Sequence, residues 1–145
     1  MEVGFRLVDV FGTGPFSGNP LCVVPEGQGL DDRTMRLLAR EIGFSETTFV
    51  TEARGDRYAM RIFTPGGEVP FAGHPSLGTA FVLVAEGRVS SPAVQLVAAG
   101  GFPVEVDLAA SRASLAAVPA PLGPPVDRAR AAAAAGLGQD DLDPD

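Results

Sequence analysis

The sequence contains no lysine and no tryptophan, and only one histidine, one cysteine, one tyrosine and one asparagine among 145 residues. All eleven basic residues are arginine. Without lysine the chain forms no Schiff base to a carbonyl substrate or to pyridoxal phosphate. It also lacks the lysine of a phosphate-binding P-loop. One histidine and one cysteine do not furnish a typical zinc site within one chain. Cys22 has no partner for an internal disulfide, which agrees with a reducing compartment. No apolar run is long enough to span a bilayer, and Met1–Gly4 carries no basic leader. The expected location is the cytoplasm, with no membrane partner. The arginines are scattered, the formal net charge is −7, and Asp140, Asp141, Asp143 and Asp145 crowd the last six residues. A nucleic-acid surface is basic and continuous, so no nucleic-acid partner is expected.

What remains is an ordinary globular composition, 46% hydrophobic and 20% charged, with the length of one domain. VGFRLVDVF (3–11) reads as a strand, followed by the Gly/Pro segment GTGPFSGNP and a short strand, LCVV. Residues 31–42 read as an amphipathic helix: Asp31 caps it, Met35, Leu38 and Ile42 share a face, and Gly43 ends it. Glu46 opens a strand, ETTFVTE. An Arg54-Gly55-Asp56 turn leads into RYAMRIFT, where Tyr58, Met60 and Ile62 alternate with Arg57 and Arg61 in the period of a half-buried strand. After the TPGG turn, residues 75–86 form a second helix with no strongly polar face, so it is expected to be buried nearly all round. Further strands are expected at 94–97, 102–108 and 114–118, then the linker-like APLGPP and an alanine-rich helix at 126–135. Strands that meander through short turns, with one apolar helix, predict an α+β fold: a curled, mostly antiparallel sheet wrapped around a central buried helix. LDDRTMRLLAREIGF and VDRARAAAAAGLG echo each other, either by alanine bias or because the chain begins a second copy of its own fold.

Four short segments can carry chemistry. GTGPFSG comes after a strand, but its spacing is not that of a dinucleotide loop, and Pro20 would break the helix such a loop requires. In FSGNP, Asn19 is held extended by Pro20 and offers both a donor and an acceptor, either to its own turn or to a ligand. In GFSETTF, Glu46 stands between Phe44 and Phe49. A carboxylate stripped of water there is placed to take and give a proton; the plain alternative is an exposed loop carboxylate. In FAGHPS, Pro75 suits the first position of a helix. That puts His74 at the cap, with Gly73, Ser76 and neighbouring N–H groups around a carboxylate-binding helix N-terminus. The plain alternative is a histidine that only caps. Cys22 reads as a small core residue.

In order and spacing, VDVFGTGPFSGNPLCVV, LLAREIGFSETTFV and RIFTPGGEVPFAGHPSLGTAFVL resemble the phenazine-biosynthesis PhzF-like isomerase family. The resemblance implies a diaminopimelate epimerase-like fold, in which two pseudo-symmetric lobes each wrap a curled sheet around a central helix and the active site lies between them. It implies Glu46 and His74 as catalytic residues, Asn19 and Gly73 as substrate-binding residues, and no cofactor; the helix N-terminus adds Ser76 as a substrate-binding residue, and the composition argues for no metal. The substrate would be a small carboxylate. Related racemases use a thiol at the corner that here reads Ala72-Gly73-His74, so a carboxylate-based isomerase is favoured over a two-thiol racemase. Residues 1–120 match one lobe, and 121–145 would be a linker and the first helix of the next. A homodimer, or a complex with a separate second-lobe chain, would complete the cleft. The alternative is a non-catalytic binding lobe that keeps only the anion corner.

Overall fold

The computed structural model describes residues 2–14, 16–116 and 123–142. The first helix, α1 (Asp32–Ile42), forms for the reasons its sequence gives. The Asp31 side chain accepts from the Thr34 N–H at 2.7 Å, and Gly43 closes the far end in the left-handed region at φ 72°. Met35 and Ala39 are buried on its inner face, and the Leu38 and Ile42 side chains pack beside them.

Among the described residues eight strands build one sheet: β1 (Arg6–Val10), β2 (Asn19–Val24), β3 (Glu46–Arg54), β4 (Arg57–Thr64), β5 (Gly67–Val69), β6 (Ala93–Val97), β7 (Gly100–Asp107) and β8 (Arg112–Leu115). Their order is β1-β2-β3-β4-β6-β7-β8, with β5 added beside β4. Five pairings are antiparallel; β2–β3 and β4–β6 are parallel. The second helix, α2 (Gly73–Ala85), touches β1, β2, β3, β6, β7 and β8, so the sheet curls around it. This is the expected α+β architecture. The two parallel pairs go beyond it: each joins strands connected through a helix, as parallel neighbours require.

Side chains alternate across the sheet. Leu21 and Val23 face α2, as do Val50, Tyr58, Met60 and Ile62. Cys22, Val24, Phe49 and Phe63 face α1 on the other side. Helix α2 is buried or half-buried from His74 to Val84, as its lack of a polar face predicts. Fully burying a residue such as Leu83 contributes about 1.5–3 kcal/mol. Gly78 lets the helix sit close to the sheet; a Cβ there would lie 2.7 Å from Leu21 Cδ2 and 2.9 Å from Val10 Cγ2. Midway along the contact of β3 with α2, Thr48 Oγ1 and Thr79 Oγ1 pair at 2.8 Å, both residues fully buried.

Several sequence boundaries shift. The strand read at 3–11 is shorter, and the one read at 21–24 begins earlier, at Asn19, because Asn19 and Pro20 pair with Val10 and Asp9. Helix α2 begins at Gly73, with Ala72 as its extended cap residue and no side-chain cap bond. Pro75 is therefore the third helical residue, a position equally free of an intrahelical N–H requirement. The strand expected at 114–118 is β8, and its last two residues, like residues 120–122 of the linker and the final three of the acidic tail, lie outside the described residues. The alanine-rich helix, α3 (Arg128–Ala134), is capped by Asp127, which accepts from the Arg130 N–H. Among the described residues no helix is long and apolar enough to cross a membrane.

Candidate active site

The loop between β1 and β2 is closed by one side chain. Ser17 Oγ accepts from the N–H groups of Thr13 and Gly14 and donates to Gly14 O at 2.7 Å. Gly18 then turns the chain at φ 98°, where a Cβ would lie 2.4 Å from Val10 O and 2.7 Å from Gly12 N. The glycines thus serve loop closure, and they lead into a strand rather than the helix that a dinucleotide loop would open. The turn delivers Asn19 to the start of β2. Its amide is fixed from both sides: Oδ1 accepts from Ser45 Oγ at 3.3 Å, and Nδ2 meets His74 Nδ1 at 3.3 Å.

That arrangement sets the histidine. With the Asn19 NH2 facing it, Nδ1 is the acceptor, and the neutral ring carries its proton on Nε2. Nε2 lies 3.5 Å from Glu46 Oε2. The His74 side chain is 10% exposed and that of Glu46 19%, and among the described residues neither of these two atoms has a hydrogen-bond partner. Burial holds the imidazole below the ordinary histidine value, and the nearby Glu46 carboxylate only partly opposes this. Unpaired buried polar atoms are uncommon and costly, and here two of them lie in the same corner.

Glu46 is the first residue of β3, directly after the turn that ends α1. It points toward α2, as Thr48 does two residues later. Phe49 lies on the opposite face, packed with Phe63 against α1. The expectation that Phe44 and Phe49 together strip water from Glu46 is therefore corrected: the covering group is His74 at the end of α2. His74 is also not a cap. It is the second residue of the helix, and its ring contacts Asn19 and Glu46 rather than backbone.

The structure brings Asn19, Glu46, Gly73 and His74 to one corner, and it places Ser76 differently. Ser76 is fully buried. Its hydroxyl donates to Ala72 O at 2.7 Å and accepts from Gln95 Nε2 at 2.9 Å, and its N–H bonds to Ala72 O at 3.4 Å. No group of Ser76 is left for a ligand. The free donors at this helix end are the N–H groups of Gly73 and His74, which have no intrahelical acceptor; Pro75 has no N–H to offer. A Cβ on Gly73 would meet nothing within 4 Å, so the glycine leaves open space there.

Sequence reasoning misses Ser45, Gln95 and Tyr58. The one available sign is a glutamine inside an apolar strand, AVQLV, at an inward-facing position. Cys22 is a core residue as read; it is fully buried, and burial pushes its thiol up to about 11. A groove of about 500 Å³ lies elsewhere, between β1, Leu77 and Phe81 of α2, and Arg112. Neither Glu46 nor His74 lines it. Among the described residues no cluster of three or more potential ligands could hold a metal ion.

Known proteins resemble this chain in sequence and in fold. The profile of a family described as phenazine biosynthesis-like protein (PhzC-PhzF) matches residues 8–145. The chain is 52% identical over 82 residues to an uncharacterized isomerase of Pasteurella multocida (strain Pm70), covering 54% of this chain and 28% of that one. It is 48% identical over 80 residues to a trans-2,3-dihydro-3-hydroxyanthranilate isomerase of Pseudomonas chlororaphis, covering 54% and 29%. The crystal structure of a Bacillus anthracis phenazine biosynthesis protein of the PhzF family superimposes with a TM-score of 0.75 at 27% identity, over 99% of this chain and 50% of that one. The matched stretch is thus under a third of each curated relative and half of the solved chain.

Proposed function

The chain belongs to the phenazine biosynthesis-like family, and on that premise we propose that it is one lobe of a cofactor-independent isomerase acting in the cytoplasm. Both curated relatives described above are named isomerases. In this reading Glu46 moves a proton within a small carboxylate-bearing substrate. The observation that carries it is the facing pair of buried, unpaired atoms, Glu46 Oε2 and His74 Nε2, 3.5 Å apart beside an open helix N-terminus.

The substrate carboxylate sits on the N–H groups of Gly73 and His74, where the helix dipole and two free donors favour an anion. This directs an adjacent carbon acid toward Glu46. The carboxylate takes the proton, the C–H bond breaks, and the electron pair spreads into the conjugated system of the substrate. The protonated Glu46 then returns the proton to a different carbon, forming the new C–H bond. Atoms and electrons balance within one substrate, so the step needs no oxidant or reductant. His74, neutral and locked by Asn19, donates Nε2–H toward Glu46 or a substrate oxygen. It adds no positive charge to the anion site.

The other wall of the cleft comes from a second lobe, whether from a longer polypeptide, a second copy of this chain in a homodimer, or a separate chain. The test is titration of the 145-residue chain with benzoate, tracked by the ring signals of the sole histidine, with light scattering to read the assembly. Saturable shifts at His74 that Gly73→Ala abolishes are expected, because the added Cβ fills the open space at the helix end. Shifts unaffected by Gly73→Ala would remove the carboxylate from this corner. Benzoate binding with no exchange of solvent hydrogen into any substrate would leave the binding-lobe alternative.

A further inference from the structure

The proposed chemistry leaves unused two buried polar groups on the sheet beneath α2. Tyr58 on β4 and Gln95 on β6 are register partners on parallel strands, and they are 1% and 0% exposed. Burying a tyrosine hydroxyl and a glutamine amide is unfavourable unless each finds its partners. Here they form a chain with one direction. Tyr58 OH donates to Gln95 Oε1 at 3.0 Å, which turns Nε2 toward Ser76. Nε2 donates to Ser76 Oγ at 2.9 Å, and Ser76 Oγ donates to Ala72 O at 2.7 Å. Burial raises the Tyr58 hydroxyl well above the ordinary tyrosine value, so it remains a donor at the head of the chain.

The chain ends on a particular peptide. Ala72 O belongs to the trans peptide whose N–H is that of Gly73, so the two groups point in opposite directions. The carbonyl, held by both the Ser76 hydroxyl and the Ser76 N–H, points into the first turn. The Gly73 N–H therefore points out of the helix end. Hydrogen bonds accepted in sequence polarise one another, and an amide whose carbonyl accepts such bonds is a stronger N–H donor.

We propose that Tyr58, Gln95 and Ser76 form a one-way hydrogen-bond relay that orients and polarises the Gly73 N–H, which makes them positioning residues for the anion held at the N-terminus of α2. What that N–H holds rests on the function proposed above; its orientation and polarisation do not.

Tyr58→Phe removes the head of the relay and keeps the ring. The full chain is labelled for NMR, and the Gly73 amide and the His74 ring are monitored before and during addition of benzoate. In the ligand-free variant the Gly73 amide proton is expected to move upfield. Benzoate binding is expected to weaken about threefold. Ser76→Ala, which cuts the last link and leaves the Tyr58–Gln95 pair whole, gives the same two changes and serves if Tyr58→Phe does not fold. Thr79→Val breaks a buried hydrogen bond of the same helix without touching Ala72, and it is expected to leave the Gly73 amide in place. An unmoved Gly73 amide in the relay variants, or an equal movement in Thr79→Val, overturns the relay. If benzoate does not bind the unaltered protein, the anion-site reading fails, and the ligand-free amide still decides the relay.

Discussion

Replacing Asn19 by aspartate reverses the electrical sign of the corner while changing one atom of the side chain. In the native arrangement the Asn19 NH2 faces His74 Nδ1 at 3.3 Å, and the ring is buried and neutral, its pKa below the ordinary value of about 6.5. Asn19→Asp puts a carboxylate oxygen where that NH2 was. A neutral ring with an accepting Nδ1 then faces another acceptor, so it must either change tautomer or take up a proton. At contact distance and an effective dielectric of about 20, the attraction between carboxylate and imidazolium is roughly 4–5 kcal/mol. Part of this is lost to desolvation, and carboxylate neighbours within such distances typically favour the charged form by about 1.4–4 kcal/mol. The His74 pKa is therefore expected to cross from below the unfolded value to above it. The native protein, with a depressed folded pKa, holds its His74 contribution above about pH 6.5 and loses it as pH falls through the lower folded value. In the variant the contribution is present below about pH 6.5 and is lost as pH rises through the raised folded value. Ring titration of the sole histidine by NMR reads the pKa directly, and denaturation midpoints at about pH 5 and about pH 8 read the linkage. A variant whose His74 titrates at or below the native value would refute the assigned Asn19–His74 geometry.

The same contacts predict the outcome of other perturbations. Gly18→Ala forces a side chain into φ 98° and within 2.4 Å of Val10 O; a loss of about 1–3 kcal/mol is expected in chemical denaturation. Thr79→Val leaves the fully buried Thr48 hydroxyl without its partner and is expected to destabilise by about 1–3 kcal/mol, most of it restored in Thr48→Val/Thr79→Val. Gly73→Ala, with open space for its Cβ, is expected to leave the thermal midpoint unchanged or slightly raised while removing benzoate binding.

The elements are legible in the sequence where local chemistry decides them. Helix α1 announces both its ends, through Asp31 and Gly43, and α2 announces its burial through the absence of a polar face. The start of α2 is harder to place because its cap, Ala72, has no capping side chain and proline fits several positions of a first turn. The parallel partners β2–β3 and β4–β6 are not legible, since a period-two pattern shows which face is buried and not which strand lies alongside. The site divides in the same way. Asn19, Glu46, Gly73 and His74 each stand out in a local motif, but their convergence is legible only through the family resemblance. Ser76 misleads because a serine in the first turn looks available until Gln95, nineteen residues away, takes its hydroxyl. Tyr58 and Gln95 give no local signal of their pairing, which depends on strand register.

The proposed function stands on Glu46 moving a proton within a carboxylate substrate. The test is to incubate the chain, alone and as any assembly it forms, with small conjugated carboxylates in D2O, and to measure deuterium in the recovered compounds. Deuterium at carbon is expected with the unaltered protein and none above the protein-free level with Glu46→Gln, whose fold and benzoate binding are expected to be retained. Deuterium incorporated at the same rate by Glu46→Gln would contradict it.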